Sequence, residues 1–161
     1  MTTATATVSV ISAEELLNNW QGHRRLTRKT IEAFPEDKLF DFSVGGMRPF
    51  AVLAQEFIGM AVPIVDGVAT GKWVEYGGGP KPTTKKEILE IWDKQTQELN
   101  EKFPTIPPHR FTEEDTAFGQ WKMTGIAMIQ YAIDNEIHHR GQGYVYLRAL
   151  GIEPPHFWER D

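Results

Sequence analysis

"IDNEIHHRGQGYVYLRALG", residues 133–151, is the stretch on which the fold turns. Together with the residues just before it, it carries apolar side chains at Ile126, Ile129, Ile133, Ile137, Tyr144 and Leu147, all at helical steps. That spacing predicts a helix from near Thr124 to Gly151, with Gly151 as the stop and Pro154 and Pro155 beyond it. The opposite side, through Met128, Ala132, Asn135, His139, Gln142 and Tyr146, keeps the same period but turns polar in its middle. A helix that is apolar on most sides is packed by several neighbours. This one is therefore expected at the centre of a helical bundle.

Three further helices can be read outward from it. In "SAEE", Ser12 is placed to cap a helix and Glu15 to complete a capping box; the helix runs to about Phe34, before Pro35. Its middle, "HRRLTRK", reads as largely solvated. A second helix is expected from Pro49, with Phe50, Leu53, Phe57, Met60 and Ile64 forming a core stripe and Pro63 bending its last turns. A third opens at Thr84, with Glu87 at the capping-box position and Phe103 and Pro104 at its end. The Gly- and Pro-rich segment after the second helix and the long segment after the third read as connections, and no convincing strand is evident. The fold class expected is all-α: one domain over residues 1–161, an antiparallel four-helix bundle with long crossover connections, preceded by a loose tail at residues 1–11.

Composition narrows the function. The 161 residues include no cysteine, so thiolate nucleophiles and Cys-held metals are excluded, and any metal must use His, carboxylate or amide ligands. A net charge of −5 without a basic run argues against nucleic acid as a partner. The N-terminal segment has no basic residue and too little apolar length for a signal core, which reads as a cytoplasmic protein. The most apolar stretch includes Gln55, Glu56, Pro63 and Asp66, so a core helix is expected there and no membrane partner.

Candidate chemistry concentrates on two helices. Residues four apart on a helix share a face, so Asn135 and His139 look into one pocket, while His138 is turned away by about 100°. Glu56, set among apolar residues of the second helix, is a carboxylate that needs a cation or a hydrogen-bonded partner if buried. Glu56, Asn135 and His139 are the candidate metal ligands, with His138 as the alternative. Without metal, Glu56 would pair with His139 or hydrogen-bond Asn135. No residue is assigned a catalytic role. Arg140 and Gln142 read as structural. His23 reads as a surface residue, and His109 and His156 lie in Pro-rich loops without ligand spacing. Trp73, Tyr76 and Trp121, on or beside the long connections, either line a pocket mouth or cap the core.

"HHRGQ" at 138–142, "LRALG" at 147–151 and "MRPFAVLAQEFIG" at 47–59 resemble the DinB/YfiT-like family of four-helix proteins. The resemblance implies a metal held by three histidines, one on the second helix and two, four apart, on the last. The last of these falls on His139; the other two positions hold Asn135 and Glu56. It implies a divalent cofactor (Ni, Zn, Mn or Fe), a metal-dependent transferase or hydrolase such as a thiol S-transferase acting on a small-molecule thiol, and a homodimer. The replaced ligands leave a second expectation beside it: a non-catalytic, stress-associated or binding protein with a degenerate metal site.

Overall fold

A computed structural model of the chain describes residues 10–161. Most of the expected N-terminal tail, and the segment read for a signal peptide, lie outside the described residues. Among the described residues there are five α-helices: α1 (Ala13–Ala33), α2 (Glu36–Asp41), α3 (Phe50–Thr70), α4 (Lys85–Lys102) and α5 (Gly125–Ala149). Both capping boxes form, Ser12 with Glu15 and Thr84 with Glu87, each satisfying orphan amides at a helix start. α3 runs unbroken through Pro63. α5 ends in a Schellman turn: Gly151 takes φ 76°, its N–H donates to the Arg148 carbonyl, and that of Ile152 to the Leu147 carbonyl.

The four long helices make the bundle, each packed on two others in the cyclic order α1, α4, α3, α5. Cross-helix bonds give their directions. Gln21 reaches Asn100 while Arg28 reaches Asp93, so α1 and α4 are antiparallel. Gln95 bonds the Ile58 carbonyl and Lys102 bonds Asp66, so α3 and α4 run parallel. The connection at residues 71–84 must therefore return along the full length of the bundle, and it is the crossover the sequence called for. Lys85 fastens its far end by donating to the Phe34 carbonyl.

Besides the short helix α2, which was not expected, two features depart from the sequence reading. The connection before α5 contains a small antiparallel hairpin, β1 (Glu114–Ala117) with β2 (Trp121–Thr124). It was not legible because "EEDTAFGQWKMT" lacks β-branched alternation; it is held by Arg110, which donates to the Val68 carbonyl at the end of α3 and to Asp115 of β1. The middle of α1 is also not solvated. His23, Arg24, Leu26, Thr27 and Thr30 are all buried. These polar side chains continue the apolar stripe of Leu16, Leu17, Trp20 and Ile31, so they pack inward with it.

Two apolar clusters fill the bundle, one around Trp20, Met60, Leu99, Phe103 and Ile129, the other around Phe34, Phe50, Phe57, Trp92 and Tyr146. A polar layer lies between them. α3 has the length and hydropathy of a membrane span but is mostly buried in the bundle, and its apolar surface is spent on the core.

Candidate functional site

The polar layer has two halves. One, between α3 and α5, holds the residues singled out from the sequence. Asn135 Nδ2 donates to Glu56 Oε1 at 2.9 Å, and His139 Nε2 lies 3.5 Å from the same oxygen. The structure thus brings Glu56, Asn135 and His139 together. His138 is exposed, and its neighbour alone faces the pocket.

One participant was missed from the sequence. Arg48, in the turn before α3, donates Nη1 to Glu56 Oε2, and its Nη2 stands 3.5 Å from His139 Nε2. A signal for it existed: an arginine at a helix N-terminus opposes the helix dipole and calls for an anion nearby. Gln142 completes the cluster, its Oε1 lying 2.7 Å from His139 Nδ1. If Nδ1–H donates to that oxygen, the neutral ring turns its lone pair at Nε2 toward Arg48. The imidazole also stacks on Phe57, with ring centres 6.1 Å apart.

Burial opposes ionisation of Glu56, but the hydrogen bonds from Asn135 and Arg48, with the charge of Arg48 behind them, outweigh it and hold the carboxyl below the usual range. Both carboxylate oxygens are engaged, and Asn135 presents its NH2 group, not its carbonyl, to Glu56. In this arrangement the donor set does not suit a divalent cation, because a guanidinium already supplies positive charge at the carboxylate and imidazole.

Below the cluster the groove between α3 and α5 opens into an apolar cavity of about 150 Å3, lined by Met60 and Ile64 of α3, Met128 and Tyr131 of α5, Tyr76 of the crossover, and Ala117, Phe118, Trp121 and Met123 of the hairpin. Of the three aromatic residues expected at a mouth or a core cap, Tyr76 and Trp121 line the cavity. Trp73 sits behind it against Phe118 and donates to Asp115. Tyr76 also borders a second, more open groove beside Glu56.

The other half of the polar layer, between α1, α4 and α5, is structural. Glu136 is buried and accepts from Thr27 Oγ1 at 2.6 Å and Trp20 Nε1 at 3.2 Å. Arg140 donates to the His23 carbonyl and to Thr27, tying α5 to α1. Arg24 lies over the Trp92 ring and donates to the Trp92 carbonyl. His23 is not a surface residue: it is 6% exposed, with Arg140 and Arg160 facing its two ring nitrogens. Burial, then the charges of these two arginines, push its pKa down to about 4. His109 and His156 are both exposed, the latter stacked on Trp158.

Comparison with known proteins accords with this architecture. The DinB family model matches residues 81–161, half of the chain, including α4 and α5. The chain belongs to the DinB family. A relative in Bacillus subtilis, the uncharacterized protein YjoA, is 46% identical over 74 residues; that match covers 45% of this chain and 47% of YjoA, so it spans about half the length of the curated relative. The crystal structure of YjoA superposes with a TM-score of 0.71 at 20% identity, over 91% of this chain and 99% of that one. A DinB-like protein from Bacillus cereus gives 0.70 at 21% identity, over 89% and 95%. At these identities the two structures establish the family's fold for nearly the whole chain, while its chemistry rests on the pocket.

Proposed function

We propose that this DinB-family protein is a non-catalytic small-molecule-binding protein. It keeps the family bundle and the groove between α3 and α5, and Arg48 stands in for the cation that the family resemblance places there. The observation that carries this reading is Arg48 itself: its guanidinium is bonded to Glu56 and faces His139, where a metal would need both donors free. What is left beside the cluster is an aromatic- and methionine-lined cavity, the kind of concave apolar site that takes a small ligand.

A second reading, a metal-dependent transferase or hydrolase, has one observation in its favour. The Gln142 contact at Nδ1 orients His139 as an outer-shell partner orients a metal-ligating imidazole. For that reading to hold, Arg48 must withdraw and Asn135 must turn its carbonyl toward the ion.

Metal analysis of untagged protein separates the two. Binding to the native state alone raises stability, so the binding-protein reading expects no change in melting temperature with Ni, Zn or Mn and less than about a tenth of an equivalent bound. A stoichiometric transition metal that co-purifies and is lost in Glu56→Ala and His139→Ala would overturn it.

A further inference from the structure

We propose that the cavity below the polar cluster binds a neutral, single-ring aromatic molecule carrying one hydrogen-bond donor, a phenol or aniline in chemical class. The inference deepens the binding-protein reading and rests on it for what the protein does with its ligand.

The volume matches a single ring. The cavity measures about 150 Å3, and a buried apolar void of about that volume holds a benzene-sized guest. The walls select its character. Met60 and Met128 supply polarisable sulfur, which favours aromatic edges, and Phe118, Trp121, Tyr76 and Tyr131 offer ring faces and edges. No formal charge lines the cavity, and the carboxylates beside it, Glu56 and Asp115, are already matched by Arg48 and Arg110. A charged guest would thus lose its hydration without a counter-charge to meet it.

One observation beyond the walls themselves points to an occupant. Asn135 Oδ1 is buried and has no hydrogen-bond partner, because the bond from Nδ2 to Glu56 fixes the amide and leaves its carbonyl oxygen unused. Asn135 does not line the cavity itself but lies one helical turn, about 6 Å along the axis, beyond Tyr131 in its wall, within the span of a ring and its hydroxyl. The acceptor asks for a donor that no described residue provides. The Phe118 ring closes the cavity against Tyr76 and Trp121. Its φ of 52° is what the primed hairpin turn demands, with Gly119 at φ 69° and the Gln120 N–H donating to the Ala117 carbonyl.

Phenol and benzene serve as probes on the full chain. Titration followed by the methyl resonances of Met60, Met123 and Met128 should show saturable shifts with both, and phenol should bind about tenfold more tightly, the worth of one recovered hydrogen bond. Asn135→Leu should erase that preference while benzene still binds. Ala117→Leu should abolish both; because this variant can fail to fold, the methyl shifts in the unaltered protein are the primary readout. No methionine shift with either probe at millimolar concentration overturns the proposal, whatever the metal analysis gives. Equal affinity for the two probes overturns the role of Asn135. Saturable phenol binding in a protein that also loads metal stoichiometrically would sink the binding-protein reading and leave the cavity assignment standing.

Discussion

Arg48 neutralises Glu56 from outside the helix that carries the carboxylate. The arginine precedes Pro49, the N-cap of α3, and its guanidinium reaches Oε2 of a residue two turns into that helix. The pair is open to solvent on the arginine side, with the Arg48 side chain 50% exposed and that of Glu56 18%. Arg48→Ala should therefore cost about 1 kcal/mol or less. Its larger effect is on charge: Glu56 and His139 lose the cation that separates them from a metal. The variant should gain melting temperature with millimolar Zn or Ni where the unaltered protein does not, as measured by thermal denaturation with and without the ion. An equal response from both proteins would show that Arg48 is no barrier.

The same geometry can be tested by restoring the ligand set that the family resemblance implies. Glu56→His with Asn135→His puts imidazoles at two positions the structure already brings toward His139, and removes the anion that holds Arg48. Three imidazoles with an open position are a competent zinc or nickel site. The double variant should bind about one equivalent of Ni or Zn by calorimetry. Failure of a folded double variant to bind would mean that the backbones of α3 and α5 no longer hold ligand spacing.

Much of this was legible in the sequence, for physical reasons. Helix ends were marked by capping boxes and by Gly151, and the pocket by the four-residue step from Asn135 to His139. Beside the hairpin and Arg48, two further things were not. The charged middle of α1 looks solvated by composition, yet Arg24 and Thr27 occupy the inward face because Leu16, Leu17, Trp20 and Ile31 fix the rotation of the helix. Likewise Ile137 seemed part of the core seam of α5 but is 36% exposed, while Glu136 and Arg140 take the inward positions. Their burial is understandable only with α1 in place to supply Thr27, Trp20 and the His23 carbonyl. Partners more than a hundred residues away leave no local signal.

His23 gives the bundle an acid-sensitive element. Its folded pKa, about 4, lies below the ordinary 6.5, so the unfolded chain binds the proton more tightly. Stability from this group is complete above pH 6.5 and is lost as pH falls toward 4, a difference of about 3 kcal/mol. Glu136 acts in the opposite sense, since burial raises its carboxyl pKa against the pull of Arg24, Thr27 and Arg140. The difference between the unaltered protein and His23→Gln isolates the histidine. Urea denaturation at pH 7 and pH 4.5 should show a smaller acid loss in the variant; parallel losses would place the titrating group elsewhere.

Arg24 and Glu136 should respond unequally to truncation. Arg24 is fully buried, and burial brings its pKa down to about 10 even with Glu136 nearby. Arg24→Ala empties a large volume and leaves Glu136 with less compensation, so a loss of about 3–5 kcal/mol is expected. Glu136→Gln keeps the shape and should cost less. Its carbonyl oxygen can accept from Trp20 while its NH2 donates to Thr27 Oγ1, which turns its own hydrogen to the His23 carbonyl. Chemical denaturation of the two variants checks the order, and the reverse order would locate the critical charge on α5.

Two glycines of α5, two residues apart, should give opposite signs on substitution by alanine. A Cβ at Gly141 would meet nothing within 4 Å, and the position is exposed. Gly141→Ala should then stabilise by up to about 1 kcal/mol through helix propensity alone. A Cβ at Gly143 would lie 2.5 Å from Cε2 of Phe50. Phe50 cannot yield freely: it is fully buried, stacked on Phe34 with centres 5.0 Å apart and set edge-on to Phe57. Overpacking of this kind costs about 1–3 kcal/mol, which exceeds the propensity gain. The displacement should also reach the site, because Phe57 carries the imidazole of His139 on its ring. Gly143→Ala is therefore expected to lower the melting temperature and shift the His139 ring resonances, while Gly141→Ala raises the first and leaves the second unchanged. Stabilisation by Gly143→Ala would mean that the Phe34–Phe50–Phe57 stack yields more readily than its burial implies.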